Sequence, residues 1–182
     1  MTPRPSLLRI AREQGVPLDP DDRERLALID RHGWVVMHIL DPDELMPPFS
    51  FSVGLNYGFA HPEIIVVGLE REVSHVLVNE IGKRVRDGDR FVDGATRDDL
   101  LQGGYRVEFR AVHPAHHPEY LGTALWFSDW FNPGKPLTVL QCVWPDRRQR
   151  YPWDPQVDRA IRERQPVLMG ERQPGSGPAT SP

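Results

Sequence analysis

The chain has 182 residues, 39% of them hydrophobic, with 22 Lys and Arg against 26 Asp and Glu for a net charge of −4. That length suits one domain with a real core, and the acidic balance excludes the basic footprint of a nucleic-acid-binding protein. Cys142 is the only cysteine, which excludes an intrachain disulfide and argues against a thiolate zinc site.

In chain order, residues 1–18 read as a flexible N-terminal arm. Leu7, Leu8 and Ile10 can dock, but Pro3, Pro5 and Pro17 argue against a long helix. Asp19 to Arg31 reads as a helix with acidic residues in its first turn, where the helix dipole favours them. Leu26 and Ile29 form its apolar stripe. Trp34 to Leu40 is a strand rich in β-branched residues, and Pro42, Pro47 and Pro48 break the connection to a second strand, Phe49 to Leu55. Glu63 to Leu69 is a third strand, nearly all apolar and therefore central. Arg71 to Arg86 places Val73, Val76, Leu77, Ile81 and Val85 at helical spacing, and Gly88 ends that helix. Arg90 to Val92 reads as a short strand. Tyr105 to Val112 alternates apolar and charged residues, as a half-exposed antiparallel strand does. Glu119 to Trp130 reads as a short helix, Leu137 to Trp144 as the last core strand, and Pro155 to Arg164 as a short helix. Residues 171–182 are of low complexity and read as a disordered tail. Between arm and tail, residues 19–170 form one expected α+β domain. Three strands in succession without helices argue against a doubly wound parallel sheet and for a mainly antiparallel one with packed helices.

Several residues carry the candidate chemistry. Alternation puts Ser50, Ser52 and Gly54 on one small, hydroxylated face of the second strand, where a ligand or another backbone can approach closely. The competing reading is that this face meets a helix or a dimer partner. His61 and Glu63 flank Pro62 at the start of the third strand, a pairing suited to acid–base work or to two metal ligands. The plainer alternative is a His-Pro turn with Glu63 answering an arginine. His113, His116 and His117 form the richest histidine cluster, but Pro114 and Pro118 place it in a loop, so its spacing is weak grounds for a metal site. His75 lies near the apolar stripe of its helix and reads as a boundary or core histidine. Gln141 is the polar member of an otherwise apolar strand face. It either pins a loop or reads a ligand's polar edge. Trp144 and Trp153 are possible aromatic walls, Asp146 caps a turn or pairs with a neighbouring arginine, and Cys142 reads as a core residue. The sequence has no phosphate-binding glycine loop, no dinucleotide fingerprint and no nucleophile elbow.

These motifs together resemble a bacterial family catalogued only as domain of unknown function 4262. The likeness runs from about Gly33 to Trp153. It rests on Gly33-Trp34, the Phe49–Leu55 strand, His61-Pro62-Glu63, the helix ending in Gly88, and Leu140-Gln141 with Trp144-Pro145-Asp146 and Pro152-Trp153. Phe51 stands where the family tends to have tyrosine, Ser52 where it has threonine, and Gln149 where glycine is often found. The resemblance implies no established activity. The strand–strand–strand–helix order is also similar to split-barrel flavin-binding proteins, which implies a sheet that closes into a barrel.

Three functions are expected from this reading. The first is binding of a small, flavin-like ligand at a sheet-edge pocket, through Ser50, Ser52, Gly54, His61, Glu63, Gln141, Trp144, Asp146 and Trp153. The second is a non-catalytic protein-interaction or immunity-type module, with a partner chain or a homodimer. The third is a metal-dependent hydrolase using His61, Glu63 and the His113–His117 loop. The first twenty residues hold no continuous apolar stretch, and no apolar run approaches the roughly 20 residues that span a bilayer. No signal peptide and no membrane association are expected, and a cytoplasmic location follows by default.

Overall fold

The computed structural model describes residues 5–43 and 45–170, so the expected tail lies outside the described residues. Within the segment read as an arm, Leu7–Gln14 forms helix α1. Ser6 caps its start, Gly15 closes its end in the left-handed conformation, and both oxygens of Asp30 accept the Leu7 N–H. Leu7 and Ala11 are buried in the core, whereas Leu8 is exposed. Pro5 and Pro17 fall outside the helix, so they limit its length without preventing it. Helix α2, Pro20–His32, starts from a reciprocal capping box between Asp19 and Asp22, which satisfies donors that the first turn otherwise leaves unpaired.

Six strands follow: β1 Val35–Ile39, β2 Phe49–Val53, β3 Glu63–Val67, β4 Thr96–Arg97, β5 Val107–Ala111 and β6 Val139–Val143. The helices between and after them are α3 Leu55–Phe59, α4 Arg71–Arg86, α5 His117–Tyr120, α6 Gly122–Phe131 and α7 Arg159–Arg164. The strands lie in one sheet in the order β1-β2-β3-β6-β5-β4. Every neighbouring pair is antiparallel except β3 and β6, which run parallel with Ile65 opposite Gln141. The fold is therefore mixed α+β with a mainly antiparallel sheet.

The barrel closure implied by the split-barrel likeness does not form. Closure needs the first and last strands to pair. Here β1 and β4 are opposite edges of the sheet, and β4 has only two residues. Three local expectations also change. Residues 90–92 form no strand; instead Phe91 turns its ring onto Phe109, 4.7 Å away, and the edge strand comes a few residues later. The helix expected over Glu119–Trp130 is two, because Leu121 leaves helical geometry to bury its side chain. Leu55, expected to end the second strand, instead starts α3.

Helices cover both faces of the sheet. On one face Phe49, Phe51 and Val53 pack with Leu7, Leu26, Ile29 and Phe127 from α1, α2 and α6. Phe51 is buried in this layer. On the other, Ile64, Val66, Leu140 and Cys142 pack with Leu77, Val78, Ile81 and Val85 of α4. Val73 and Val76, expected in the stripe of α4, face outward at 45% and 67% exposure. Their places are taken by Ser74 and Gly82, which are buried because small side chains let the helix lie close to the sheet. A Cβ at Gly82 would sit 2.5 Å from the Trp34 ring.

Two glutamines fasten the chain after α7 to β6. Gln141 donates to the Pro166 carbonyl (2.8 Å) and accepts from the Leu168 N–H (2.8 Å). Gln165 accepts from the Trp144 N–H (2.9 Å) and donates to its carbonyl (2.8 Å). Both amides are buried, so each bond replaces one that water would otherwise supply.

Candidate functional site

Ser52, Gly54 and Glu63 meet at the start of α3. One Glu63 oxygen accepts the N–H groups of Gly54 (2.9 Å) and Asn56 (3.0 Å), and the other accepts the Ser52 hydroxyl (2.5 Å). Ser52 Oγ in turn accepts the Ile64 N–H (2.9 Å). Helix α3 has no capping side chain of its own. Glu63 reaches from β3 to cap it, and ties the β2–α3 turn to the next strand. The carboxyl is fully buried. Burial pushes its pKa up to about 7, against hydrogen bonds from Ser52, Asn56, Gly54 and Leu55 that pull it down. Ser52 and Gly54 are likewise buried, and the small face of β2 lies beneath α4.

His61 is 1% exposed. Its Nδ1 donates to the Pro62 carbonyl (2.7 Å) and its Nε2 accepts the Phe91 N–H (3.1 Å), which fixes the neutral form. Burial pushes the imidazole below its usual value, with the Arg90 charge acting the same way. Because the folded pKa is depressed, the stability it contributes is complete above about pH 6.5 and is lost as pH falls through the folded value. Denaturant titrations across this range should show that loss in the wild type. His61→Gln, which keeps an acceptor for Phe91 but does not titrate, should remove it. An identical acid limb in the variant would contradict this assignment.

The other expected residues hold turns and termini. Trp144 Nε1 donates to the Val67 carbonyl (2.8 Å), so its ring seals the sheet rather than facing a cavity. Asp146 accepts the N–H groups of Arg148 and Arg150 and pairs with the Arg150 guanidinium (2.7 Å). Trp153 stacks on Tyr151 at 4.9 Å. Gln149 has a φ of 61°, the left-handed conformation that glycine takes without strain. Its side chain adds bonds to the Arg106 N–H and the Gly104 carbonyl. His113 Nδ1 accepts the Ala115 N–H in a local turn, His116 lies edge-on to Tyr120, and His117 is buried. Among the described residues, no three His, Cys, Asp or Glu side chains come together as a metal-binding group. Burial raises the Cys142 thiol pKa, in keeping with a core residue.

A wide open groove lies elsewhere. A groove of about 880 Å³ runs along the free edge of β1, between α4 and the end of α2. Leu28, Val36 and Val76 line its apolar part. Arg71, Lys83, Arg86 and the imidazoles of His32, His38 and His75 face it, with Glu72 as the one carboxylate in the lining. Arg71 and Lys83 have no ion-pair partner among the described residues, whereas Arg86 lies 3.7 Å from the Asp87 carboxylate and 5.7 Å from the Trp34 ring centroid. On a chain of net charge −4 this is a concentrated positive patch.

A chain of hydrogen bonds forms one side of the groove. Trp34 Nε1 meets Asn79 Oδ1 (3.0 Å), Asn79 Nδ2 meets His75 Nε2 (3.0 Å), His75 Nδ1 meets His38 Nε2 (3.1 Å), and His38 Nδ1 meets Ser50 Oγ (2.8 Å). Of the residues singled out from the sequence as contacts, only Ser50 belongs to it. The missed residues do carry a faint signal. Arg71, His75, Asn79 and Lys83 recur every four residues, a polar stripe along one face of α4.

Fold and groove define an open-sheet α+β protein with a cationic cleft along one sheet edge. The chain belongs to the family described as Domain of unknown function (DUF4262), which it matches over residues 28–158. That span holds the whole groove and the Glu63 cap, and begins after α1. No curated protein and no solved structure matches the chain.

Proposed function

We propose that this protein binds a small anionic molecule in the groove between β1 and α4. The observation that carries the reading is the convergence of Arg71, Lys83, Arg86 and three histidines on one cleft with an apolar floor. Mostly apolar concavities with a few placed polar groups are the usual form of a small-ligand site. The cations would take a carboxylate or phosphate group, and Leu28, Val36 and Val76 the apolar body. A flavin mononucleotide has both parts and belongs in the first panel of ligands.

The test is an NMR titration with that panel and with inorganic sulfate. Resonances of residues along β1 and α4 should shift, and the double change Arg71→Glu, Lys83→Glu should weaken binding at least about tenfold, since two attractions become repulsions. Shifts confined to other surfaces, or an unaffected double variant, would rule out this site.

A second reading, an interaction module, draws on the same edge. β1 has a free hydrogen-bonding edge, and Ile39, Leu40 and Val76 are exposed near it. Sheet edges of this kind accept an added strand. A strictly monomeric chain that ignores anions and co-purifies with a protein bound at β1 would favour this second reading over the first.

A further inference from the structure

We infer that the groove takes up one proton, onto the His38–His75 pair, whenever it binds an anion. The inference rests on the anion-binding reading above and on the direction of the hydrogen-bond chain. An indole N–H can only donate. Trp34 therefore requires the Asn79 oxygen, 3.0 Å away, as its acceptor. That turns the Asn79 amide nitrogen toward His75 Nε2, which must then be an unprotonated acceptor. His75 thus carries its hydrogen on Nδ1 and donates it to His38 Nε2. His38 carries its own hydrogen on Nδ1 and donates it to the hydroxyl of Ser50, which is 3% exposed. One donor-only group at the end of the chain dictates both tautomers.

An added proton has no place in this arrangement. On His75 Nε2 it faces the Asn79 amide hydrogens. If Asn79 flips to accept it, the amide hydrogens face the Trp34 N–H instead. On His38 Nε2 it faces His75 Nδ1–H, and tautomerisation of His75 passes the same conflict on to Asn79 and Trp34. Every protonated state leaves one N–H without an acceptor inside the chain of bonds, so that hydrogen must turn outward to the groove. Burial of His38, and the nearby His75 and Arg71, push its imidazole below the usual value, consistent with a resting neutral His38.

An anion in the groove supplies the missing acceptor. His75 is exposed on α4 and can turn its surplus N–H toward the ligand. The remaining charges facing the pair are Arg71, Glu72, Lys83 and Arg86 from α4 and the titratable His32 from α2. The positive ones resist a further proton until an anion offsets them. By linkage, the anion raises proton affinity by the same factor by which the proton raises anion affinity.

Inorganic sulfate is the probe, because it does not titrate near neutral pH. Long-range proton–nitrogen NMR at about pH 8 should show both His38 and His75 protonated at Nδ1 and bare at Nε2. Sulfate affinity should then rise as pH falls toward about 5.5, by up to about tenfold per pH unit, the limit for one proton. His32→Gln should keep that slope. Asn79→Asp should flatten it, because a carboxylate accepts from both Trp34 and a protonated His75 and so loads the proton beforehand. An Nε2–H tautomer at either histidine overturns the inference. So does sulfate binding without a pH slope in the wild type, or a slope lost in His32→Gln; in these cases the anion site itself stands. No sulfate binding at any pH overturns both.

Discussion

Replacing Glu63 with alanine should destabilise the fold by about 3 kcal/mol or more, the scale expected when several buried donors lose their acceptor together. The Gly54 and Asn56 N–H groups and the Ser52 hydroxyl all point at this carboxyl, and Ser52 must also serve Ile64. The α3 start would lose its cap, and β2 would lose a bridge to β3. Glu63→Gln should cost far less at about pH 4.5, about 1 kcal/mol, because there the carboxyl is neutral like the amide. Its oxygen replaces one carboxylate oxygen, and its amide can donate to Ser52 Oγ. The pair of variants separates shape from charge. Burial holds the Glu63 carboxyl up to about 7, above its unfolded value. Stability from this group is therefore present at low pH and lost as pH rises through about 7. Urea denaturation should show the wild type losing up to about 3 kcal/mol relative to Glu63→Gln between about pH 4.5 and pH 7.5. A constant difference would mean that the four hydrogen bonds outweigh burial and keep the carboxylate ionised throughout. The limb runs opposite to that of His61, so the two variants should tilt the stability profile in opposite directions.

Gly54→Ala should be comparably damaging, by about 3 kcal/mol or more, because two separate costs combine. Gly54 has a φ of 122°, a conformation that side-chain-bearing residues rarely adopt. A Cβ there would also lie 2.6 Å from the Gly33 carbonyl and 3.0 Å from the Trp34 Cα, contacts with backbone that cannot rotate away. Relief requires the Gly33–Trp34 segment to move, and Trp34 anchors the hydrogen-bond chain of the groove. The variant should therefore show a lowered melting temperature together with altered His75 and His38 resonances. Loss of stability with those resonances unchanged would show that the strain is absorbed on the α3 side instead.

The segments Phe49–Glu63 and Gln141–Trp153, which hold most of the candidate residues, are real structural features, but their work differs from what their chemistry suggests. Ser52 and Gly54 read as a small face open to a ligand or a backbone, and Glu63 as half of an acid–base pair or as the partner of an arginine. In the fold they are one buried cap. Gln141 was open to two readings, pinning a loop or touching a ligand, and its amide bonds the chain at Pro166 and Leu168. His75 read as a boundary or core residue and His38 attracted no notice, yet both stand in the groove. Local pattern reports the type of a residue and the face of its own element. It does not report which other element covers that face.

Acidic first-turn residues mark α2, apolar runs mark β3 and β6, alternation marks β2 and β5, and a period of 3.6 marks the span of α4 even though Ser74 and Gly82 occupy buried positions. The motifs at Gly33-Trp34, Ser52, Glu63 and Gln141 also carry the likeness to the family. The open sheet, the cover of α4 over the small face of β2 and the cleft along the β1 edge arise only when these elements pack together. The bonds that make the groove span 12 residues from His38 to Ser50, 37 from His38 to His75 and 45 from Trp34 to Asn79. Such pairings follow from strand order and helix packing, and no local spacing encodes them.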